Sequence, residues 1–384
     1  MKIADIKLIT LELDDEHPVS EWKLTTIPNL RRIQYTHGRA KQSGTAKTRN
    51  TFLKVITDEG IESIATTEIS ITPTQLSIIK NQVIGEDVFN REAIWQKLHK
   101  GTRWVYQPPG WFGAFDNCLW DILGKAANLP VHALVGRVRE SLPAYLTAGD
   151  STLEQYLEHI DIGKSFGINA YKFHTYKGGK ADIPIFTKVR EIVGADYDLL
   201  NDPVCSYDLR EAIEVGHVME DLDFVWLEEP MHEYKLNLYQ ELCDELTIPV
   251  MGTEMLMNDI GITSQWLIQG GTDLLRGNAR AGTTHVLKLA HLAEMHGGTI
   301  ELNGTGGLFG LVHATLGCCI ENTQFYEYNG GAAQGANGLR NAGALWGLTN
   351  APIIKDGHIA PNNLPGWGAQ WDEEKFASLI VEEV

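Results

Sequence analysis

Long apolar runs and paired cysteines are both missing from the sequence. No apolar run approaches the roughly 18 residues that a membrane-spanning helix needs. The N-terminal residues MKIADIKLITLELDDE alternate between apolar and polar types, so they lack the apolar core of a signal peptide. The five cysteines form no CxxC pair, which indicates neither a disulfide framework nor a cysteine-type zinc site. These absences predict a cytoplasmic protein in a reducing compartment.

Basic residues are few in comparison with acidic residues. The 384 residues include 32 Lys and Arg against 50 Asp and Glu, which gives a formal net charge of −18 at pH 7. This charge repels nucleic-acid phosphates and anionic membranes, so we expect no partner of either kind. A small anionic substrate remains compatible with it where a local cationic site binds the substrate. The composition, 43% hydrophobic and 21% charged, is that of a globular protein.

Short apolar segments recur from residue 142 onwards, with amphipathic helical stretches between them. They follow one another at about 25 to 30 residues, the spacing of a β-strand plus a crossover helix. Eight such units predict an α/β fold of the TIM-barrel type, and a doubly wound parallel sheet is the alternative. The segments are 142–148, 170–176, 197–202, 223–230, 248–254, 273–278, 299–304 and 324–329.

The first hundred residues predict a separate α+β unit. Residues 1–14 and 51–58 have strand patterns, and residues 73–100 have helical periodicity. The polar stretch 15–50 is predicted to be a long loop over a functional site or a disordered connection. The stretch 350–384 is rich in Pro, Gly and Trp and is predicted to extend off the barrel.

Three of the predicted strands end in an acidic residue. Asp202, Glu228 and Glu254 lie 26 residues apart in both steps. The C-terminal ends of barrel strands meet at one face, so these side chains are expected to converge. Converging carboxylates repel one another unless a cation lies between them, and hard oxygen ligands suit Mg²⁺. The alternative is that each acid caps the helix that follows it.

The segments DFVWLEEP (223–230) and DNCLWDILGKAANLPVHALVG (116–136) resemble the mandelate racemase subgroup of the enolase superfamily, which also contains muconate lactonizing enzymes and acid-sugar dehydratases. The resemblance covers nearly the whole chain. It implies a modified (β/α)7β barrel, an α+β capping domain built from both termini, and a homo-oligomer. It also implies one Mg²⁺ on Asp202, Glu228 and Glu254, and abstraction of a proton α to a carboxylate. The implied segments are 1–125 (N-terminal capping domain), 126–349 (barrel) and 350–384 (C-terminal segment returning to the capping domain).

The resemblance places the catalytic base on the second barrel strand. The subgroup usually has KxK there, and this chain has Lys172 and His174, which share one face of the strand. Lys172 matches the lysine that interacts with the substrate carboxylate, and His174 stands where the base would be. Lys172 and Mg²⁺ are expected to keep His174 neutral at pH 7, because like charge disfavours imidazolium. The alternative is a core histidine packed in the barrel.

The opposite face lacks the subgroup's second base. The Asp and His of the usual dyad are matched by Asn278 and Asn303, and neither amide titrates near neutral pH. The alternative is that His313 or His296 takes over the work of the dyad. On the eighth strand, Glu327 matches an acid that hydrogen-bonds the substrate carboxylate when protonated, and a pKa raised by an anionic ligand would allow this. Its alternative is a solvated strand-end residue.

Two segments are candidates for contacts with the substrate. By resemblance, the stretch 15–50 folds over the barrel mouth and determines specificity, and it contains His37 and Arg39. The segment TRWVYQPPGWFG contributes Trp104 and Tyr106, whose aromatic faces and polar tips suit polyols. For each of these residues, the alternative is an ordinary solvated position.

A single base on one face favours elimination over racemisation. In a syn β-elimination, His174 could remove the α-proton and return it to the departing 3-hydroxyl. We therefore expect a Mg²⁺-dependent acid-sugar dehydratase, a hydro-lyase that converts a sugar acid to a 2-keto-3-deoxy acid. The first alternative is an isomerase of the same family, either a cycloisomerase or lactonizing enzyme or an epimerase, on a sugar acid or its lactone. The second is a binding protein that retains Mg²⁺ without efficient turnover.

Overall fold

The computed structural model consists of a closed parallel barrel and an antiparallel sheet with its own helices. Among the described residues, no helix is long and apolar enough to cross a membrane. The structure describes residues 1–15, 17–26, 33–67, 71–149, 151–175, 177–304, 307–329 and 343–384, with the backbone alone for 17–26, 33–44, 307 and 329.

Eight parallel strands form the barrel. It closes because the last strand pairs with the first, Glu327 lying opposite Tyr145. All eight predicted strands are present, and the closure excludes the doubly wound sheet. The barrel strands are β6 (Leu142–Thr147), β7 (Ala170–His174), β8 (Asp198–Asp202), β9 (Leu227–Glu228), β10 (Val250–Gly252), β11 (Leu274–Gly277), β12 (Thr299–Leu302) and β13 (Tyr326–Asn329).

Seven helices connect these strands, which gives the (β/α)7β order. Their beginnings follow local capping chemistry. At the first of them, the Thr152 side chain accepts the Gln155 N–H while the Gln155 side chain accepts the Thr152 N–H. The connecting helices are α5 (Leu153–Ser165), α6 (Gly179–Val193), α7 (Leu209–Asp221), α8 (Leu236–Glu245), α9 (Ile260–Ile268), α10 (Thr283–Met295) and α11 (Gly307–Gly317).

The antiparallel sheet unites both ends of the chain. Its strand order is β15-β1-β4-β5, and a turn at residues 58–60 joins the last two strands, with Gly60 at a φ of +81°. Its strands are β1 (Ile3–Glu12), β4 (Arg49–Thr57), β5 (Glu62–Thr66) and β15 (Ile380–Glu383). The remaining helices are α1 (Pro73–Val83), α2 (Arg91–Val105), α3 (Gly113–Ala127), α4 (Val131–Val135) and α12 (Glu373–Ser378).

Of two predictions about irregular segments, one is wrong and one is incomplete. Within the stretch 15–50, β2 (His17–Thr26) and β3 (Ile33–Ala46) pair as an antiparallel ribbon. The stretch is polar and has no regular apolar alternation, so the sequence pattern did not reveal its strands although it contains several β-formers. The stretch 350–384 leaves the barrel only in its last part, where β15 pairs with β1 of the antiparallel sheet. Its strand β14 (His358–Ile359) pairs with β6, and Trp367 is buried with its indole N–H donated to the Asn117 carbonyl at 2.9 Å.

The antiparallel sheet and the helices packed on it form the capping unit. Helix α3 of this capping unit contacts the barrel mouth. The Asp116 carboxylate accepts the Thr284 N–H at 2.7 Å, at the first turn of α10, where a helix favours negative charge. Its neighbour Asn117 donates to the Ala279 carbonyl at 2.7 Å. Both contacts fix the turn between β11 and α10, and that turn follows directly after Asn278.

Candidate active site

Charged and amide side chains gather at the C-terminal ends of the barrel strands. Residues two apart on a strand share a face, so Lys172 and His174 both point into the barrel. His174, Glu254 and Asn303 are half-buried, and the other members are buried. This mouth cluster consists of Lys172, His174, Asp202, Glu228, Glu254, Arg276, Asn278, Asn303 and Glu327.

Lys172 is a buried cation among three carboxylates. Its Nζ lies 2.9 Å from Glu228, 3.3 Å from Glu327 and 3.4 Å from Asp202, and the side chain is 1% exposed. Burial and the neighbouring Arg276 lower the pKa of this amine, but the attraction to Glu228 and Glu327 outweighs them and raises it well above its ordinary value. Lys172 therefore carries a fixed positive charge at neutral pH.

Arg276 is a second buried cation, which the sequence analysis missed. Its Nε lies 2.9 Å from Glu228 and 3.5 Å from Glu254. Its Nη2 donates to the Glu327 carboxylate and, at 3.2 Å, to the Tyr145 hydroxyl. A lone arginine in the buried strand LLRGN, two residues before Asn278, was the available signal, because such a charge needs carboxylate partners.

Glu327 is ionised in this environment. Burial raises the pKa of its carboxyl, but the attraction to Arg276 and Lys172 exceeds that effect and lowers it to about 2. The Tyr145 hydroxyl donates to it at 3.0 Å, and the Gly304 N–H at 3.1 Å. A raised pKa was expected for Glu327 beside an anionic ligand. The protein's own charged groups shift the pKa of Glu327 in the opposite direction.

Two of the strand-end acids, Asp202 and Glu228, have pKa values that are shifted in opposite directions. Burial raises the pKa of Asp202, but His174 and Lys172 lower it to about 2. For Glu228, burial outweighs the attraction to Arg276 and Lys172 and raises the pKa to about 7. The cations of the mouth cluster therefore do not offset the burial of every carboxyl group, since the pKa of Glu228 stays raised.

The oxygen donors of the strand-end acids suit a hard divalent cation in type. Glu228 Oε1 is buried and accepts no hydrogen bond, because Arg276 Nε approaches it outside hydrogen-bonding geometry. In the described part of the chain, no three His, Cys, Asp or Glu side chains are already close enough to enclose a metal. Lys172 and Arg276 instead lie between the acids. Asp202, Glu228 and Glu254 therefore fit Mg²⁺ in the chemistry of their ligand atoms and in their common location at the barrel mouth.

His174 contacts one of these acids and is oriented from behind. Its Nε2 lies 3.1 Å from Asp202, which is its partner across β7 and β8. Its Nδ1 lies 2.9 Å from the Ala148 carbonyl and 2.8 Å from Thr147 Oγ1. A carbonyl only accepts, and the Thr147 hydroxyl donates to the Lys172 carbonyl at 3.0 Å, so Nδ1 carries the hydrogen. Nε2 is then the nitrogen that faces the mouth cluster.

The protein's own groups act on His174 in the opposite direction from the expectation, which counted Mg²⁺ as well as Lys172. Burial lowers the pKa of His174 and Lys172 also lowers it, but the attraction to the Asp202 carboxylate is stronger, and the pKa is raised. The acid directly opposite His174 in the neighbouring strand is therefore a further influence that the expectation did not include.

Asn278 and Asn303 form a pair on the other side of the mouth. Asn278 donates to Asn303 Oδ1 at 2.8 Å, and Asn303 donates to Glu254 at 3.0 Å. Arg280 Nη2 donates to the same Asn303 oxygen at 3.1 Å. The pair extends the β11–β12 register by one residue beyond Gly277 and Leu302. This side therefore presents hydrogen-bonding amides and no titratable group from either position.

The two alternative second bases lie elsewhere. His313 is buried on α11, and its Nε2 accepts the Ala279 N–H at 3.0 Å. Burial lowers its pKa to about 3. His313 thus supports the turn after Asn278 from behind. His296 is exposed at the C-terminal end of α10.

Two family descriptions match this architecture. Residues 158–375 match "Enolase C-terminal domain-like", and residues 33–136 match "Mandelate racemase / muconate lactonizing enzyme, N-terminal domain". The chain belongs to the enolase superfamily. Within that superfamily, it has the barrel and the capping unit of the mandelate racemase subgroup.

Several enolase-superfamily relatives are named sugar-acid dehydratases. An L-talarate/galactarate dehydratase of Salmonella typhimurium is 30% identical over 232 residues, which is 57% of this chain and 57% of that relative. A D-galactonate dehydratase family member of Enterococcus gallinarum is 27% identical and covers 79% of this chain and 82% of its own. The crystal structure of D-glucarate dehydratase from Agrobacterium tumefaciens, complexed with magnesium, is 26% identical, covers 100% of both chains and has a TM-score of 0.80.

The predicted substrate contacts are the least supported residues. Trp104 and Tyr106 are 76% and 78% exposed at the end of α2, where the Arg103 guanidinium lies over both rings. Among the described residues, no contact joins them to the mouth cluster. The side chains of His37 and Arg39 lie outside the described part of the chain. All four remain predictions.

Proposed function

We propose that this enolase-superfamily protein is a Mg²⁺-dependent acid-sugar dehydratase. The observation that carries the proposal is the asymmetry of the mouth cluster. His174 approaches from β7, whereas the Asn278–Asn303 pair occupies the opposite side. One base on one face suffices for syn elimination of water, and the names of the relatives agree with that chemistry.

Asp202, Glu228 and Glu254 are the residues that would hold Mg²⁺. The bound ion supplies positive charge that stabilises the enediolate formed when a proton leaves the carbon next to a carboxylate. Lys172 and Arg276 contribute two further fixed charges beside Glu228. A preorganised set of cations in a buried site stabilises developing negative charge more strongly than water does.

His174 performs the proton transfers in this proposal. Its Nε2 takes the proton from C2 of the sugar acid, while Lys172 and Arg276 attract the carboxylate on which negative charge develops. The imidazolium then returns this proton to the 3-hydroxyl, the C3–O bond breaks, and water leaves. The resulting enol becomes the 2-keto-3-deoxy acid. The Thr147 and Ala148 contacts hold the hydrogen on Nδ1, so Nε2 is the nitrogen that takes part in both transfers.

The cellular setting is part of the same proposal. We infer a cytoplasmic homo-oligomer that acts on a small-molecule sugar acid. Five thiols without a disulfide and a net charge of −18 are consistent with this setting. Glu327, held by Arg276 and Lys172, would orient these two cations toward the substrate rather than bind its carboxylate as a protonated acid.

The test is an ¹H NMR screen in D₂O with Mg²⁺ and a panel of aldonates, aldarates and their lactones. The proposal expects a 3-deoxy methylene signal that depends on Mg²⁺ and disappears in His174→Asn. His159→Asn is the matched control, since His159 is buried outside the barrel mouth and bonds the Tyr171 hydroxyl at 2.8 Å. A methylene signal that persists in His174→Asn would contradict the base assignment.

The same screen separates the alternatives. Loss of the α-proton signal, or a new lactone or epimer without a methylene signal, would assign an isomerase of the same family. Ligand-dependent thermal stabilisation without any product would assign a binding protein.

A further inference from the structure

Glu233 lies between β9 and α8, and its carboxylate binds the backbone that carries Glu254. Oε1 accepts the N–H groups of Thr253 and Glu254, the latter at 3.2 Å. Oε2 accepts the Met255 N–H at 2.8 Å. The side chain is 1% exposed. Three successive backbone N–H groups thus donate to one buried carboxyl group.

The backbone around this carboxylate adopts a conformation that Thr253 disfavours. Its φ is +83°, in a region where a β-branched residue is an outlier. Such strained conformations persist only where the surrounding structure holds them. Glu233 accepts the Thr253 N–H, and the Thr253 hydroxyl accepts the Arg276 N–H at 3.1 Å. Both contacts hold the residue that immediately precedes Glu254.

Glu254 depends on this support more than the other two acids do. Its side chain is 28% exposed, against 3% for Asp202 and 1% for Glu228. Packing therefore restrains its direction least. Its side-chain partners are Asn303 at 3.0 Å and Arg276 at 3.5 Å. The direction of the Glu254 carboxylate follows mainly from the backbone that Glu233 holds.

We propose that Glu233 is a positioning residue for Mg²⁺, acting through the backbone of Glu254. By binding three N–H groups, it keeps the strained end of β10 in place and holds the Glu254 carboxylate toward Asp202 and Glu228. Glu233 does not itself bind the ion in this proposal. The inference rests on the proposed function, because it takes these three acids as the ligands of Mg²⁺.

The test measures Mg²⁺ binding to the full chain by isothermal titration calorimetry after removal of metal with a chelator. In Glu233→Gln, an amide nitrogen replaces an oxygen and cannot accept an N–H group. The expected result is at least tenfold weaker Mg²⁺ binding. Glu233→Asp keeps both accepting oxygens but is shorter, so its affinity should lie between those of Glu233→Gln and the unaltered protein.

Glu301→Gln is the matched control. Glu301 is also 1% exposed and accepts the N–H groups of Gln324 at 2.9 Å and Phe325 at 3.2 Å. These groups precede β13, so they lie at the opposite end of the barrel from the mouth cluster. Both Gln variants should lower the thermal midpoint, but Glu301→Gln should keep its Mg²⁺ affinity within twofold.

Each outcome has a distinct meaning. Tight binding by the unaltered protein with weakened binding only in the Glu233 variants supports the inference. Equal affinity in Glu233→Asp or Glu233→Gln and the unaltered protein overturns it while leaving the proposed function intact, and so does an equal loss in Glu301→Gln. If the unaltered protein binds no Mg²⁺, the proposed metal site fails and this inference falls with it. Glu233→Asp alone decides the question if Glu233→Gln does not fold.

Discussion

Arg276→Met removes one buried cation from the mouth cluster while nearly preserving side-chain length. Arg276 is fully buried and contacts Glu228, Glu254 and Glu327. Without it, Glu228 and Glu327 keep only Lys172 as a buried cationic partner among the residues that the structure describes. Removing one partner of a buried ion pair costs about 3–5 kcal/mol, because an uncompensated charge remains. We expect Arg276→Met to lower the free energy of unfolding by this amount at pH 7 in chelator-treated protein.

Glu327 accounts for much of this loss and makes it depend on pH. Its pKa is about 2 in the folded protein against an ordinary value of 4.5. That difference corresponds to roughly 3 kcal/mol of stability at neutral pH. A lowered carboxyl pKa stabilises the protein above pH 4.5, and the contribution disappears as the pH falls toward 2. Loss of Arg276 raises this pKa, so the difference in stability between the variant and the unaltered protein should be largest at pH 7 and clearly smaller at pH 3.

Urea unfolding followed by circular dichroism at pH 7 and pH 3 measures the effect. Lys97→Met is the control, because Lys97 and Glu86 form an exposed pair at 2.7 Å, which contributes about 0–1 kcal/mol. A loss below about 1 kcal/mol for Arg276→Met at pH 7 would refute the reasoning, and so would an equal loss at both pH values.

Three further predictions follow from the mouth cluster. Thr147→Val should lower kcat about tenfold with little change in Mg²⁺ affinity, because His174 loses one hydrogen bond of roughly 1 kcal/mol. Thr147→Ser, which keeps the hydroxyl, is the control. An unchanged kcat for Thr147→Val in steady-state kinetics would contradict this prediction. Glu228→Gln should abolish both Mg²⁺ binding in calorimetry and turnover, and retained binding would remove Glu228 from the ligand set. The double change Asn278→Asp with Asn303→His should introduce α-proton exchange from the second face in D₂O, and an absence of exchange would show that the surroundings do not support a base there.

The barrel was predictable because its signals are local and repeated. Each barrel strand is a short apolar run, and each of the first seven is followed by a helical stretch. Strand ends such as Asp202, Glu228 and Glu254 could be placed together without any contact information, since parallel strands deliver their C-terminal ends to one face. Closure by the β13–β6 pairing was implied by the number of strands rather than by any single residue.

Residues that act through partners distant in sequence were harder to predict. Arg276 lies inside an apolar strand, and its three acids come from three other strands. Glu233 carries no motif, and its importance is visible only once the N–H groups after β10 point at it. Thr147 of β6 likewise contacts His174 of the neighbouring strand β7. The pairing of the strands and the path of the chain after each strand bring these groups together, and composition reveals neither.

Charge balance inside the protein could not be predicted from the sequence either. The expected pKa directions for His174 and Glu327 counted a metal ion or a ligand. In the protein alone, burial is opposed by its own charged groups: Asp202 raises the pKa of His174, and Arg276 with Lys172 lowers the pKa of Glu327. In a buried cluster, the sign of each shift depends on every neighbour within a few ångströms, so a single unrecognised arginine reverses the result.

One-sided proton abstraction is the central claim, and it can be tested with two sugar acids that differ only at C2. Each would be incubated with the protein and Mg²⁺ in D₂O and followed by ¹H NMR. The account predicts that one member of the pair loses its α-proton and gives the 3-deoxy methylene signal, and that His174→Asn stops this reaction. Loss of the α-proton from both members at similar rates would contradict the account, because it requires a second base on the face of Asn278 and Asn303.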